Sequence, residues 1–125
     1  MSLGRVLLVD DDEDIRSTLG AVLQAEGFEV VEARNGLHAL QQLMRNPLPL
    51  AILLDMTMPG LSGYETFLEL KRCRPAVKVL LSSGYDEMET RQRFAGQRLA
   101  GFLQKPYTAA ALGEKIREVL TSIDE

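Results

Sequence analysis

The sequence predicts an α/β protein in which helices cover both faces of a doubly wound, parallel β-sheet. Strand-like and helix-like segments alternate five times along the 125 residues. Three of the strand-like segments contain unbroken aliphatic runs, which are typical of strands buried on both faces. Strand–helix pairs repeated in this way form right-handed crossovers between parallel strands. We therefore expect one domain over residues 1–125, with its core at about residues 5–120.

Five short segments are expected to form the strands. They are residues 5–9 (RVLLV), 28–33 (FEVVEA), 50–54 (LAILL), 77–81 (VKVLL) and 101–104 (GFLQ). Helices are expected at residues 13–26, 35–45, about 62–73 and about 87–97, and a last helix follows the fifth strand.

Apolar residues at helical spacing predict the inward faces of three of these helices. The first face comprises Ile15, Leu19, Val22 and Leu23, the second Leu37, Leu40, Leu43 and Met44, and the last Leu112, Ile116, Val119 and Leu120. Helix starts are indicated by a possible cap at Asn35 and by capping-box patterns at Ser62–Glu65 and Asp86–Glu89.

Composition excludes several classes of function. The chain carries 14 Lys and Arg against 18 Asp and Glu, a net charge of −4, which argues against binding nucleic acid. No apolar run reaches the roughly 18 residues of a membrane span, and we expect no signal peptide. A single cysteine, Cys73, and a single histidine, His38, cannot form an intramolecular disulfide or a structural zinc site. We expect a reduced, cytoplasmic setting.

Carboxylates follow two of the predicted strands. Asp10 and Asp11 come after the first aliphatic run, and Asp55 comes after the third. In an open parallel sheet, ligands bind beyond the carboxyl ends of the strands. If the two strands are neighbours, the three acids converge, and such a cluster must raise a pKa or bind a cation. Mg²⁺ suits these oxygen ligands, and a carboxylate such as Asp55 can attack phosphorus to form an aspartyl phosphate.

From the residues alone, these acids could also have purely structural roles. Asp10 and Asp11, like the acids at 12–14, could serve only to favour the first turn of a helix. Asp55 could be an ordinary turn former.

The fourth and fifth strands are expected to bring further groups to the same edge. Ser82 or Ser83 ends the fourth strand, and a hydroxyl there can donate to a phosphoryl oxygen. Lys105 ends the fifth strand and precedes Pro106, where a cis peptide bond costs far less than elsewhere. A lysine at this edge can pair with a carboxylate and later with its phosphate.

From about Arg5 to Leu120 the sequence resembles the receiver domain of two-component response regulators. The resemblance rests on VDD (9–11), DMTMPGLSG (55–63), SGY (83–85) and KP (105–106), in this order and spacing. It implies a flavodoxin-like fold with strand order 2-1-3-4-5.

The resemblance also implies roles for individual residues. Asp55 corresponds to the phosphoacceptor and Lys105 to the lysine that pairs with the phosphate. Asp10, Asp11, Asp55 and the backbone carbonyl of Thr57 correspond to the ligands of Mg²⁺, or of another small divalent cation such as Mn²⁺. Ser83, rather than Ser82, corresponds to the switch hydroxyl because Gly84 and Tyr85 follow it. Phe102 corresponds to the switch aromatic residue.

The function implied by the resemblance is phosphotransfer in a phosphorelay. A sensor histidine kinase or a histidine phosphotransfer domain would donate its phosphoryl group to Asp55. Helix 4, strand 5 and helix 5 would then form the output surface. The chain would be a switch rather than an enzyme, although it would assist its own phosphorylation and dephosphorylation. The segments LSSGYDE and LAGFLQKPY are most similar to those of receivers in hybrid sensor kinases. A stand-alone regulator is equally compatible with the sequence. In either case an output domain or output protein would lie elsewhere.

Three alternatives belong to other classes. A phosphoaspartate hydrolase would carry D-x-D, but Thr57 occupies the position of its second acid. A nucleotide- or flavin-binding domain would carry a glycine-rich phosphate loop, and no G-x-G-x-x-G follows the first strand. The third alternative is a pseudo-receiver that docks a partner without being phosphorylated.

His38 is expected on the solvent side of the second helix, so a phosphohistidine would have to come from elsewhere.

Overall fold

The computed structural model describes residues 3–56 and 63–121. Five strands alternate with five helices in these residues. The strands are β1 (Arg5–Val9), β2 (Glu29–Ala33), β3 (Ala51–Asp55), β4 (Val79–Ser83) and β5 (Gly101–Gln104). The helices are α1 (Glu13–Ala25), α2 (Gly36–Arg45), α3 (Gly63–Cys73), α4 (Glu87–Arg93) and α5 (Ala109–Thr121).

The strands form one parallel sheet in the order β2-β1-β3-β4-β5. This order confirms the doubly wound parallel sheet predicted from the residues and the flavodoxin-like fold implied by the resemblance. Because β1 and β3 are neighbours, the acids at their carboxyl ends lie at the same edge of the sheet. In the described parts of the chain, no helix is long and apolar enough to cross a bilayer.

Two strands are displaced from their predicted positions. The structure begins β3 at Ala51 and β4 at Val79, so β3 includes Asp55 and β4 includes Ser82 and Ser83. All five residues of both strands are buried. The parallel register continues through the polar ends and pairs Asp55 with Ser82. Asp55, Ser82 and Ser83 are thus held by the sheet ladder itself rather than by the loops after it.

Two apolar layers enclose the sheet. Alternate strand residues such as Leu7, Ile52 and Leu81 pack in a cluster that also contains buried residues of α2 and α3. The intervening residues, such as Leu8 and Leu53, pack in a second cluster with α1 and α5. The predicted stripe of α5 is confirmed, since Leu112, Ile116 and Val119 are buried and Leu120 is partly buried.

The predicted inward face of α2 is partly wrong. Leu43 is buried and Leu40 is partly buried, but Leu37 and Met44 are 62% and 69% exposed. The other residues that α2 buries are Gly36 and Ala39. Small residues allow a helix to approach the sheet closely, so they fix the rotation of α2 and turn Leu37 and Met44 towards solvent. Ile15 of α1, predicted to face inward, is likewise 36% exposed.

Helix caps follow the predicted chemistry where the structure describes them. Asn35 Oδ1 accepts a hydrogen bond from His38 N–H at 2.8 Å, and Asp86 Oδ1 accepts one from Glu89 N–H at 2.8 Å. The helix that Asp86 caps ends at Arg93, four residues earlier than predicted. Ser62, the predicted cap of α3, lies outside the described residues.

The early end of α4 has a local explanation. Phe94 is buried and stacks edge-on against Phe67, with 5.1 Å between ring centroids, and against Tyr64, with 4.9 Å. Gly96 follows at a φ of 82°, a left-handed conformation that favours glycine. The backbone therefore leaves the helix as Phe94 enters the core.

Candidate functional site

The three carboxylates predicted to converge do so. Asp10, Asp11 and Asp55 each offer an oxygen, and these atoms all lie within 4.8 Å of one another. Asp10 and Asp55 are each only 3% exposed, whereas Asp11 faces solvent. The site is therefore an acidic pocket at the carboxyl edge of the sheet, open on the side of Asp11.

Lys105 provides the positive charge next to this pocket. Its Nζ donates a hydrogen bond to Asp55 Oδ1 at 3.0 Å and lies 4.0 Å from Asp10 Oδ2. The peptide bond between Lys105 and Pro106 is cis. Burial lowers the pKa of Lys105, but the hydrogen bond and charge of Asp55, with the charge of Asp10, outweigh it and raise the pKa above its usual value. Lys105 is thus firmly protonated at neutral pH.

The loop between β1 and α1 fixes the first acid. Asp10 N–H extends the sheet by donating to the Ala33 carbonyl at 3.1 Å. The Asp10 carboxylate accepts a hydrogen bond from Asp12 N–H at 2.9 Å. The Asp12 side chain in turn caps α1 by accepting from Asp14 N–H and Ile15 N–H. Helix capping and site geometry are therefore built from the same short acidic run.

Asp10 carries the clearest electrostatic cost. Burial raises the pKa of its carboxyl above 3.8, and the charges of Asp55 and Asp11 act in the same direction, against the Asp12 hydrogen bond and Lys105. A folded-state pKa above the unfolded value means that the folded chain binds the proton more tightly. Stability then falls as pH rises from about 3.8 through the folded-state pKa, and Asp10 is destabilising at neutral pH.

We therefore expect Asp10→Asn to raise the Tm in Mg²⁺-free buffer at pH 7. The amide oxygen can still accept from Asp12 N–H, while the buried charge is gone. The difference in Tm between the variant and the unaltered chain should narrow as the pH falls through the folded-state pKa towards about 3.8, because Asp10 takes up its proton first in the folded state. Thermal denaturation followed by circular dichroism across this pH range measures it. A variant less stable at pH 7 would contradict the account.

The two serines at the end of β4 occupy opposite faces of the sheet. Ser82, paired in register with Asp55, lies 3.3 Å from the hydroxyl of Tyr107 through its Oγ. Ser83 is fully buried, and its Oγ accepts a hydrogen bond from Tyr85 N–H at 3.0 Å. The assignment of Ser83 as the switch hydroxyl stays a prediction.

The remaining predicted site residues are placed as follows. Phe102 is 6% exposed and belongs to the apolar cluster that contains Phe94. Thr57 lies outside the described residues. His38 is half-buried rather than fully on the solvent side: its Nδ1 accepts from Arg34 N–H at 3.2 Å, and its Nε2 lies 3.0 Å from Gln42 Nε2.

Sequence reasoning missed two residues beside the pocket. Tyr107 contacts Ser82, and burial, the largest influence, raises the pKa of its phenol. Arg16 donates from Nη1 to the Asp10 carbonyl at 2.7 Å. The sequence offered only a weak signal for either one, since both contacts join residues whose proximity depends on packing between elements.

The donor set fits a small, hard divalent cation. Three carboxylate oxygens at this separation repel one another, and oxygen ligands at one open edge leave room for water and a phosphate. The fold and the site thus define a parallel α/β domain with an acidic pocket, flanked by a protonated lysine, at the carboxyl edge of its sheet.

The chain belongs to the response regulator receiver domain family, whose match covers residues 6–117. It is 34% identical over 120 residues to the transcriptional regulatory protein CpxR homolog of Haemophilus influenzae, covering 94% of this chain and 51% of that protein. The chain therefore spans about half the length of this curated relative. It is a receiver domain of two-component signalling.

Solved structures agree with the family. The chemotaxis protein CheY4 of Vibrio cholerae superposes with a TM-score of 0.88 at 26% identity, covering 95% of this chain and all of that one. The response regulator TrrA of Thermotoga maritima, solved in complex with Mg²⁺-BeF, gives a TM-score of 0.82 at 30% identity, covering 96% of this chain and all of that one.

Proposed function

We propose that this receiver accepts a phosphoryl group on Asp55 in a Mg²⁺-dependent reaction. The observation that carries the proposal is the grouping of Asp10, Asp11 and Asp55 with the ammonium of Lys105 at one edge of the sheet. A pseudo-receiver that only docks a partner would have no need of two buried acids beside a lysine, and no comparison favours that alternative.

The chemistry assigned to the residues is a displacement at phosphorus. A carboxylate oxygen of Asp55 forms a bond to phosphorus as the phosphorus–nitrogen bond of a phosphohistidine breaks. The leaving imidazole nitrogen takes a proton from solvent. Lys105 stays charged and pairs with the oxygens that gain negative charge. Positioning and charge neutralisation account for most of such catalysis.

The residues that would hold Mg²⁺ are Asp10, Asp11 and Asp55, and the backbone carbonyl of Thr57 is the fourth ligand that the resemblance implies. When bound there, Mg²⁺ supplies positive charge that offsets the acids and the incoming phosphoryl oxygens. TrrA, with its Mg²⁺-BeF, supports this assignment by similarity.

A groove beside the pocket supports a protein as the phosphoryl donor. It has a volume of about 410 Å³ and lies between α1 and the loop after β5. Ile15 and Leu19 give it an apolar wall, and Lys105 links it to Asp55. We propose that a histidine kinase or histidine phosphotransfer domain presents its phosphohistidine here.

We further propose that α4, β5 and α5 form the output surface, with Ser83 and Phe102 as the switch residues that link it to Asp55. In this proposal the chain is a switch that assists its own phosphorylation and dephosphorylation, not an enzyme acting on other substrates.

Acetyl phosphate tests the reaction without a partner protein. We expect the intact mass to increase by one phosphoryl group in the presence of Mg²⁺ and to stay unchanged when EDTA is present. Mn²⁺ should replace Mg²⁺. A phosphoryl gain of equal size in EDTA would contradict the proposed role of the acids, and no gain despite measured Mg²⁺ binding would contradict the proposed reaction with this donor.

A further inference from the structure

Arg16 makes two directed contacts, one of which reaches the backbone of the acidic pocket. It belongs to α1, and its side chain is 14% exposed. Its Nη1 donates to the main-chain carbonyl of Asp10 at 2.7 Å, and its Nε donates to Glu32 Oε1 on β2 at 3.1 Å. One guanidinium thus joins a strand to the loop that carries the acids.

The first contact holds the peptide that connects Asp10 to Asp11. The Asp10 carbonyl belongs to the rigid peptide unit that connects Asp10 to Asp11. Asp10 is also held by two other bonds: its N–H donates to the Ala33 carbonyl, and its carboxylate accepts from Asp12 N–H, which closes a turn over Asp11. The Arg16 bond is made at the carbonyl of the Asp10–Asp11 peptide itself, so together with the Asp12 turn it sets the direction in which the chain continues to Asp11. Asp11 is exposed, and its position depends on this backbone direction.

The second contact fixes Arg16. Glu32 lies on β2, the neighbour of β1 in the sheet. Because the planar guanidinium carries donors in a fixed fork, the bond from Nε to Glu32 also orients Nη1. The guanidinium donates to the main-chain oxygen of Asp10 rather than to a carboxylate. It therefore acts on the acids by fixing the backbone that carries them.

We propose that Arg16 is a positioning residue for Mg²⁺ binding, holding Asp11 in register with Asp10 and Asp55 through the Asp10 carbonyl. The inference rests on the proposed function, because it concerns the same cation site. Arg16 would not touch the cation. Groups that orient metal ligands in this way typically change affinity by about 10–100-fold when they are removed.

The chain provides a matched control for this test. Arg5 and Glu29 form the same kind of Arg–Glu pair between β1 and β2, at 3.1 Å, and they lie at the opposite end of these strands. Like Arg16→Met, replacing Arg5 by methionine removes a guanidinium that pairs with a glutamate of β2, but it leaves the acidic pocket unaltered. Loss of sheet stability alone would affect both variants.

The experiment is Mg²⁺ titration by isothermal calorimetry on the unaltered chain, Arg16→Met and Arg5→Met, with Tm measured without Mg²⁺. We expect the Kd for Mg²⁺ to rise about tenfold in Arg16→Met and to stay within about twofold in Arg5→Met. The rate of labelling by acetyl phosphate should fall in Arg16→Met at low Mg²⁺ and return to within about twofold at saturating Mg²⁺. This pattern separates a weakened cation site from a damaged phosphoacceptor.

Two results would overturn the inference alone. They are an unchanged Kd in a folded Arg16→Met variant, and equal losses of affinity in Arg16→Met and Arg5→Met. If Arg16→Met does not fold, Arg16→Lys, which keeps the charge and loses the fork, is judged by the same criteria. An unaltered chain that binds no Mg²⁺ would instead contradict the proposed function, and this inference with it.

Discussion

Asp55→Asn is expected to abolish phosphoryl incorporation while leaving the fold intact. The amide has nearly the same shape as the carboxylate, but its oxygen is a poor nucleophile. Residue 55 is 3% exposed and continues the ladder of β3, where the backbone holds it regardless of the side-chain charge. Intact mass after treatment with acetyl phosphate and Mg²⁺ measures the effect, and circular dichroism confirms the fold.

Asp86→Asn is the matched control for this substitution. Asp86 caps α4 by accepting from Glu89 N–H, and an asparagine oxygen can accept the same bond. We expect this variant to gain one phosphoryl group like the unaltered chain. Undiminished labelling of Asp55→Asn would show that another side chain is the acceptor.

Lys105→Met is expected to slow labelling by acetyl phosphate at least about tenfold, because removing one donor from a preorganised electrostatic site commonly costs 10²–10³-fold in rate. Lys105 Nζ lies 3.0 Å from Asp55 Oδ1 and 4.0 Å from Asp10 Oδ2, so its charge lies directly beside the proposed acceptor. The methionine stem keeps much of the packing and removes the charge. Time courses of phosphoryl incorporation at saturating Mg²⁺ measure the loss.

Lys115→Met controls for the loss of a lysine in general. Lys115 has nearly the same exposure, 29% against 30%, and its ion pair is a surface contact with Glu118 at 3.5 Å. Its labelling rate should match that of the unaltered chain. Equal rates for Lys105→Met and the unaltered chain would remove Lys105 from the reaction.

Local chemistry made much of the fold predictable. The alternation of strand-like and helix-like segments located all five strands, and β1 and β5 have the predicted bounds. The extent of β3 and β4 was not predictable in the same way, because pairing with neighbours carries the ladder through polar residues such as Asp55 and Ser83. Apolar periodicity also could not fix the rotation of α2, which depends on how closely Gly36 and Ala39 approach the sheet.

The acids and the lysine were predictable because each directly follows or ends a strand that delivers it to one edge. Arg16 and Tyr107 were not, since their contacts depend on the distance between α1 and β2 or between β4 and the loop after β5. Residues at strand ends are placed by topology, whereas those that hold them in position are set by side-chain packing that a single sequence does not display.

Chemical mapping of the acceptor tests the central claim most directly. Reduction of an aspartyl phosphate with borohydride converts that aspartate to homoserine, which peptide mass spectrometry can locate. After treatment with acetyl phosphate and Mg²⁺, we predict homoserine at position 55, and none there when Mg²⁺ is withheld. Homoserine at position 10 or 11 in place of 55, or at no position despite a phosphoryl gain, would contradict the assignment of Asp55 as the phosphoacceptor.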